Sequence, residues 1–316
     1  MPQRPLTIVT RTQGNNRALR DRVIVPATAQ LDFVDIPVLV QGFRRMVRDL
    51  EFDVCEMALT TYLCAREHGV RFTALPIFLV RGFHHGAIMR RVDGPVEEPK
   101  QVQGTRVGVN RGYTVTTGVW ARGVLASEYG VDLDTVTWVL SGDEHVAAYR
   151  PPSNVVRVHE GETLPELLAR GDLSATIGMG SDSVETTTLI PDAEEAGYAA
   201  LRERGHYPIN HLVVVRDDVL AERPGLAEEL FEAFAESKRR YVDQLRSDAI
   251  AEPTAVDRMH ARVMRIIGAD PLPYGIEPNR NVLTELVQHA VDQHILSDAP
   301  PELDALFAEP TRALVG

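Results

Sequence analysis

The chain has 316 residues, of which 44% are hydrophobic and 25% charged, and its formal net charge at pH 7 is -12. A chain of this length can bury a substantial core and forms one large or two ordinary domains. The acidic balance argues against general binding of nucleic acids or anionic membranes, because both require a positive surface. The sequence contains no apolar run long enough to span a bilayer, so we expect no membrane partner.

The N-terminus and the cysteines favour a cytoplasmic protein. The first ten residues lack the apolar segment of a secretory signal and lead directly into a β-prone stretch. Cys55 and Cys64 are the only cysteines, and we expect two buried, reduced thiols rather than a disulfide. Neither cysteine has the spacing of a zinc site.

The N-terminal third alternates strands and helices. We predict strands over residues 6–10, 31–36 and 52–55, a short helix after the polar turn at 11–16, and a helix that begins with Pro37. A βαβαβ order implies a parallel sheet.

A tight turn that carries Glu56, Thr60 and Thr61 is predicted between the third strand and a helix closed by Gly69. Open α/β sheets bind ligands at the carboxyl ends of their strands, beside helix N-termini. An ordinary connection with a surface glutamate and capping threonines fits the same pattern.

A basic and aromatic cluster, Arg81-Gly82-Phe83-His84-His85-Gly86, follows the strand predicted over residues 74–80. Two glycines around such side chains indicate close approach of backbone and ligand, although a positively charged surface loop is the alternative. The turn-rich segment 93–99 then predicts the crossing into a second lobe.

The second lobe is predicted to be a smaller α/β unit. Its strands cover residues 105–110, 135–140, 154–158 and 175–178. The Gly- and Thr-rich loop after the first of these strands opens a helix that ends at Gly130, so its N–H groups and hydroxyls could bind a carboxylate.

The polar side chains of this lobe are candidates for substrate contacts. The loop contributes Tyr113, Thr114, Thr116 and Thr117, for which simple helix capping is the alternative function. Ser181, after the last strand, could supply a further hydroxyl or belong to a solvated turn. The loop lacks the ending of a Walker A motif.

The chain is predicted to return to the first lobe at a β-prone run over residues 210–216, followed by a long helix over 224–245 and a helical region over 256–307. We therefore assign residues 1–92 and 211–316 to the first lobe and 93–210 to the second. A pair of crossing strands is what a hinged, clam-shell protein requires.

Several segments resemble the 4,5-dihydroxyphthalate decarboxylase family. They are, in chain order, Asp53–Tyr62, Phe72–Phe78, Arg81–His85, Arg106–Val109, Val119–Gly123 and Tyr207–His211. The Arg-x-Phe-x-His pattern of the family has His84 here where another basic residue such as Arg is expected. The resemblance implies an α/β, two-lobed fold like that of type II periplasmic binding proteins, with two strands crossing between the lobes.

The resemblance also implies a lyase of aromatic compound degradation, in phthalate catabolism, that converts 4,5-dihydroxyphthalate to protocatechuate and carbon dioxide without oxidation. This reaction needs an acid, a base and clamps for two carboxylates. We assign His85 and His211 as acid and base candidates with Glu56 assisting, and Arg81 as one clamp. Thr116 and Thr117 form the second clamp, and Thr60, Tyr113, Thr114 and Ser181 complete the predicted site in a cleft between the lobes.

Other functions fit parts of the same pattern. A solute-binding protein for an aromatic acid would use the same lobes and clamps without turnover. An enzyme of thiamine-precursor or menaquinone biosynthesis on this fold matches the motifs less well. No cofactor is required by the sequence, although an oxygen-rich cleft could hold a divalent metal ion, and the helical C-terminus could support a homo-oligomer.

Overall fold

The structure is a computed structural model and describes residues 4–316. In chain order, its strands are β1 (Leu6–Val9), β2 (Leu31–Phe33), β3 (Val54–Ala58), β4 (Phe72–Arg81), β5 (Ile88–Arg91), β6 (Arg106–Val109), β7 (Thr137–Leu140), β8 (Val155–Arg157), β9 (Ala175–Ile177), β10 (Thr186–Thr188) and β11 (Ile209–Arg216). Its helices are α1 (Arg17–Arg20), α2 (Leu39–Asp49), α3 (Leu59–Glu67), α4 (Thr116–Tyr129), α5 (Leu164–Arg170), α6 (Ala193–Arg204), α7 (Asp217–Glu222), α8 (Leu226–Arg246), α9 (Ala255–Ile267) and α10 (Arg280–Asp292). No helix within residues 4–316 combines the length and the apolar character that a bilayer crossing needs.

The chain forms two compact units. The first contains residues up to 81, 209–284 and 300–316, and the second contains 82–208 and 285–299. Strand β4 therefore ends, and β11 begins, at a unit boundary, as expected for the two crossing strands. Residues 1–3, which the sequence analysis assigns to the first lobe, lie outside the described residues.

The boundaries of the units differ from the predicted ones in two places. The crossing predicted at 92/93 lies at 81/82, because β5 pairs with β9 and β10 and so belongs to the second sheet. The segment 285–299, predicted in the first lobe, belongs to the second unit. There Gln293, just after α10, accepts a hydrogen bond from Arg122 and donates one to the carbonyl of Val119.

The first unit is built on a five-stranded sheet with the order β2-β1-β3-β11-β4. Strand β1 runs parallel to β2 and β3, which confirms the predicted parallel βαβαβ arrangement. Strand β11 runs antiparallel to both of its neighbours, β3 and β4. Every residue of β3 is buried, as is typical of a central strand with both faces covered.

Helices α2 and α8 contribute many apolar side chains to the core of this unit. Both are amphipathic, and their apolar faces are buried while most of their charged residues remain at the surface; Lys238 of α8 is buried and pairs with Asp270. The buried apolar residues include Phe43, Met46, Val47, Leu230, Phe231 and Phe234. Both cysteines are buried in this unit and are not joined in a disulfide, as predicted.

The second unit has a six-stranded sheet with the order β10-β5-β9-β6-β7-β8. Strands β9, β6, β7 and β8 are parallel, whereas β5 and β10 join antiparallel at one edge. Trp120 of α4 and Trp138 of β7 are fully buried in its core. Neither β10 nor α6 was predicted. Strand β10 consists of three half-buried threonines and so lacks an apolar alternation.

Candidate active site

Glu56 is a fully buried carboxylate in strand β3 of the first unit. The predicted tight turn at this residue is wrong, because Val213 of β11 pairs opposite Glu56 and extends the strand to Ala58. Ala58 is the N-cap of α3, so the helix follows the strand directly. Glu56 therefore occupies a rigid position in the sheet rather than a loop.

Both carboxylate oxygens of Glu56 accept hydrogen bonds. Oε1 lies 2.7 Å from Nδ1 of His211, and Oε2 accepts the backbone N–H of Arg11 at 2.9 Å. A buried carboxylate is costly unless it is paired in this way. One side chain thus joins the loop after β1 to the first part of β11.

His211 is the partly exposed member of this pair. Its side chain keeps 18% of its surface exposed, while that of Glu56 keeps none. The ring of Phe43 packs edge-on against the imidazole, with 5.1 Å between the ring centroids. Because Glu56 accepts from Nδ1–H, the other nitrogen, Nε2, carries the lone pair that can take up and return a proton.

Arg81 lies near His211 at one end of two adjacent strands. The pairing of β11 with β4 places Ile209 opposite Arg81 and His211 opposite Val80. The guanidinium of Arg81 donates to the side chain of Asn279 and is largely buried. The structure therefore joins Glu56 and His211 directly, and Arg81 lies at the end of the neighbouring strand β4 in the same unit.

Arg81 also lines a cavity of about 720 Å³ that lies within the first unit. The loop after β1, the end of β4 and helices α8 and α9 form its walls. Because Arg11, Arg17, Arg81 and Arg240 all contribute to these walls, we call it the arginine-lined cavity.

Thr60 and Thr61 lie in the first turn of α3, immediately after β3. Both are fully buried, and the hydroxyl of Thr61 has no hydrogen-bond partner among residues 4–316. The two side chains belong to the packed interior of the first unit, rather than to a surface cap.

His85 occupies a different environment in the second unit. Its side chain is fully buried, and Nε2 lies 2.9 Å from Oε2 of Glu128 on α4. Arg204 pairs with the other oxygen of the same carboxylate. Although burial works against it, the bond from His85 together with Arg204 holds the pKa of Glu128 below its usual range.

A second histidine–carboxylate pair lies close to His85. Nδ1 of His206 is 2.9 Å from Oε2 of Glu285, and the rings of His85 and His206 meet edge-on at 6.1 Å. Burial lowers the pKa of His206. Burial also lowers the pKa of neighbouring His84 to about 3, so that ring is neutral at pH 7. The cluster is a buried polar network within one unit.

The loop predicted to bind a carboxylate does bind one, and it is the chain's own Glu144. The backbone N–H groups of Tyr113 and Thr114 donate to Glu144, and the Thr114 hydroxyl donates at 2.6 Å. An added Cβ at Gly112 would overlap the Glu144 carboxylate, so glycine permits this approach. The loop has the predicted anion-binding geometry, but Tyr113 and Thr114 use it internally.

The remaining predicted residues of the second unit differ in exposure. Thr116 is buried at the first position of α4, and Thr117 next to it is half-buried. Ser181 is half-buried, and its hydroxyl accepts the N–H of Ser183 at 3.1 Å. This Ser181 contact is that of a local turn.

Two important residues were missed by the sequence analysis. Glu144 follows β7 in a short polar segment, and an acidic residue after a strand was the signal that could have been paired with the anion-binding loop. Asn279, which holds Arg81, lies 198 residues away in the sequence and carries no local signal. Within residues 4–316, no cluster of three or more His, Cys, Asp or Glu side chains has the arrangement of a metal site.

Two curated relatives resemble this chain over much of its length. A 4,5-dihydroxyphthalate decarboxylase of Comamonas testosteroni is 27% identical over 311 residues, which cover 92% of each chain. A 4,5-dihydroxyphthalate decarboxylase of Pseudomonas putida is 33% identical over 180 residues, which cover 53% of this chain and 69% of the relative. No protein-family profile matches the chain.

Solved structures establish the fold. The desulfurization enzyme DSZB superposes with a TM-score of 0.55 at 17% identity, covering 97% of this chain and 96% of that one. A Candida albicans protein that exhibits the generic periplasmic binding protein fold superposes with a TM-score of 0.53 at 12% identity, covering 96% of this chain and 94% of that one. The predicted α/β fold of periplasmic-binding-protein type is thereby confirmed.

Proposed function

The chain belongs to the 4,5-dihydroxyphthalate decarboxylase family, and from this premise we propose that it converts 4,5-dihydroxyphthalate to protocatechuate and carbon dioxide. It is then a carbon–carbon lyase, as the resemblance implied. The observation that carries the site assignment is the bond between buried Glu56 and partly exposed His211.

The reaction requires a group that donates a proton to the ring carbon from which the carboxylate leaves. One carboxylate leaves the ring as carbon dioxide, the electron pair of the broken bond stays on the ring carbon, and a proton takes its place. A base that draws a proton from a ring hydroxyl makes the ring more electron-rich and so favours protonation of that carbon. An imidazole with one committed nitrogen and one available nitrogen can carry out such transfers near neutral pH.

We propose that His211 is the group that exchanges the proton through Nε2. Glu56 is a positioning residue: it holds Nδ1–H, orients the ring and stabilises the imidazolium when His211 is protonated. Its rigid place in β3 and its second bond, from the Arg11 N–H, keep the carboxylate from turning away.

Arg81 is the proposed clamp for one substrate carboxylate. Its planar guanidinium suits a carboxylate, and the bond to Asn279 holds the side chain at the same strand end as His211. The clamp at Thr116 and Thr117 remains a proposal from the sequence. The small aromatic dicarboxylate is the expected partner, and a cytoplasmic location, part of the same proposal, is tested by cell fractionation.

Purified protein incubated with 4,5-dihydroxyphthalate tests this function directly. We expect stoichiometric protocatechuate and carbon dioxide, measured by liquid chromatography and by trapping the gas. A His211→Gln variant with an unchanged circular dichroism spectrum should lose most of this activity. Saturable binding of 4,5-dihydroxyphthalate without product would instead support a solute-binding protein and reject the enzyme.

A further inference from the structure

The arginine-lined cavity is a second place in the first unit with the features of a ligand site. Its volume of about 720 Å³ lies within the range of small-molecule pockets. Glu56 and His211 do not line it, whereas Arg81 and Arg11, whose N–H holds Glu56, also belong to the cavity wall. The loop after β1 contacts both, since the Arg11 N–H bonds to Glu56 and the residues Arg11, Gln13 and Gly14 line the cavity.

The cavity offers hydrogen-bond donors that lack partners within residues 4–316. The side-chain Nε2 of Gln13 is buried and has no hydrogen-bond partner there. The guanidinium of Arg17 forms no ion pair with a described carboxylate, and Arg240 is paired with Glu236 outside the cavity wall. Both residues line the cavity, and an anion bound there offers acceptor oxygens to such donors.

The wall also carries three carboxylates, and one of them is engaged by hydrogen bonds. Asp257 accepts hydrogen bonds from the Tyr241 hydroxyl and from the N–H and hydroxyl of Thr254, so both of its oxygens are engaged. Asp21 and Glu252 are the other carboxylates that line the cavity. Four arginines and three carboxylates therefore line the cavity, and one of these carboxylates, Asp257, is already hydrogen-bonded to its neighbours.

The rest of the wall suits an apolar body. Leu79 and Val80 at the end of β4 and Val256 of α9 contribute aliphatic surface, and the Tyr241 ring adds an aromatic wall. His260 is bonded to the Tyr241 hydroxyl through Nδ1 at 2.9 Å, and burial lowers its pKa to about 4. The imidazole is therefore neutral at pH 7 and completes the aromatic side.

We propose that the arginine-lined cavity binds a small carboxylate with an apolar ring or chain, at a site separate from Glu56 and His211. Arg17 and Gln13 bind the carboxylate, and the aliphatic and aromatic walls hold the rest of the molecule. This site does not depend on decarboxylation, so it can be tested whether or not turnover is observed.

Isothermal titration with benzoate, and with uncharged benzamide as the probe without a carboxylate, tests the proposal. Val256 is 51% exposed, so Val256→Trp can fill the cavity from its open side, and Arg17→Gln removes the guanidinium. The matched controls in the second unit are Val156→Trp, at a residue that is 38% exposed, and Arg106→Gln, at an exposed position. Thermal melts check that each variant is folded.

We expect benzoate to bind the wild-type protein at least tenfold more tightly than benzamide. Each cavity variant should lower the affinity for one bound equivalent of benzoate at least tenfold, whereas the control variants should not change it. Turnover of 4,5-dihydroxyphthalate should stay within twofold of the wild type in all four variants. Unchanged benzoate binding in both cavity variants would overturn the proposal.

Joint loss of benzoate binding and turnover in Val256→Trp and Arg17→Gln would also overturn it, because the cavity would then be the substrate site. If the wild-type protein shows no turnover at all, the proposed function fails, while the benzoate titrations still decide whether the cavity is a carboxylate site.

Discussion

Two histidine–glutamate pairs of almost equal length lie in different units and have different surroundings. The Glu56–His211 pair spans 2.7 Å and the His85–Glu128 pair 2.9 Å. In the first pair the carboxylate is buried and the imidazole is partly exposed, whereas in the second the imidazole is buried and the carboxylate partly exposed. The buried partner is thus the carboxylate in the first pair and the imidazole in the second.

The orientation decides what each imidazole can do. His211 binds Glu56 through Nδ1 and keeps Nε2 for proton exchange, with a ring that reaches the surface. His85 uses Nε2 for Glu128, and its Nδ1 is buried without a hydrogen-bond partner among residues 4–316. A contact distance alone would rank the two equally, but burial favours His211 for chemistry and His85 for structure.

Glu56→Gln is the change with the largest expected effect. The amide can no longer stabilise an imidazolium at His211, so kcat for 4,5-dihydroxyphthalate should fall about 100-fold or more. The pH–rate profile should change shape as well, which loss of packing alone would not cause. Glu128→Gln is the matched control in the second unit, and an equal loss of kcat in both variants would remove the distinction between the pairs.

His85→Leu should act on stability rather than on the reaction. It leaves Glu128 without its histidine donor and should lower the free energy of unfolding by up to about 3 kcal/mol, with Arg204 as the remaining partner. Chemical denaturation measures this loss. His85→Gln, which retains a donor, should recover at least half of it; no recovery would mean that packing, not the hydrogen bond, is responsible.

His84 should make the free energy of unfolding depend on pH. Its pKa is about 3 in the folded protein because of burial, against about 6.5 in an unfolded chain. The unfolded state therefore binds the extra proton as pH falls below about 6.5, and stability falls in the same direction. Between pH 7 and pH 5 this histidine should cost about 2 kcal/mol.

Denaturation of the wild type and of His84→Gln at both pH values measures that contribution. The variant should lose less stability between pH 7 and pH 5 than the wild type does. Parallel losses would show that His84 takes up its proton in the folded state.

Thr114→Val has the smallest expected effect. It removes the hydroxyl bond to Glu144 but leaves the two backbone N–H bonds in place, so the free energy of unfolding should fall by about 1 kcal/mol. The KM for 4,5-dihydroxyphthalate should stay within twofold, because Glu144 already occupies this loop. A tenfold rise in KM would restore Thr114 to the substrate site.

The sequence predicted the parts of the fold that depend on local pattern. The strand at residues 6–10 and the helix closed by Gly130 agree with the structure to within a few residues, because apolar spacing and turn formers are local signals. The anion-binding loop at Tyr113 was also recognised from its composition.

Long-range pairing explains what was not predicted. Glu56 was placed in a turn because its strand partner, β11, lies more than 150 residues later in the chain. The crossing was placed at 93–99 because those residues carry strong turn signals, while pairing of β5 with β9 is visible only in the folded sheet. The partners of Arg81 and of the Tyr113 loop, Asn279 and Glu144, come from distant elements in the same way.

The most direct test compares turnover in His211→Gln and His85→Gln at equal protein concentration, with both variants confirmed as folded. We predict that His211→Gln releases carbon dioxide from 4,5-dihydroxyphthalate about 100-fold or more slowly than the wild type, whereas His85→Gln stays within about threefold. Full activity in His211→Gln, or an equal loss in both variants, would contradict the assignment of proton exchange to His211.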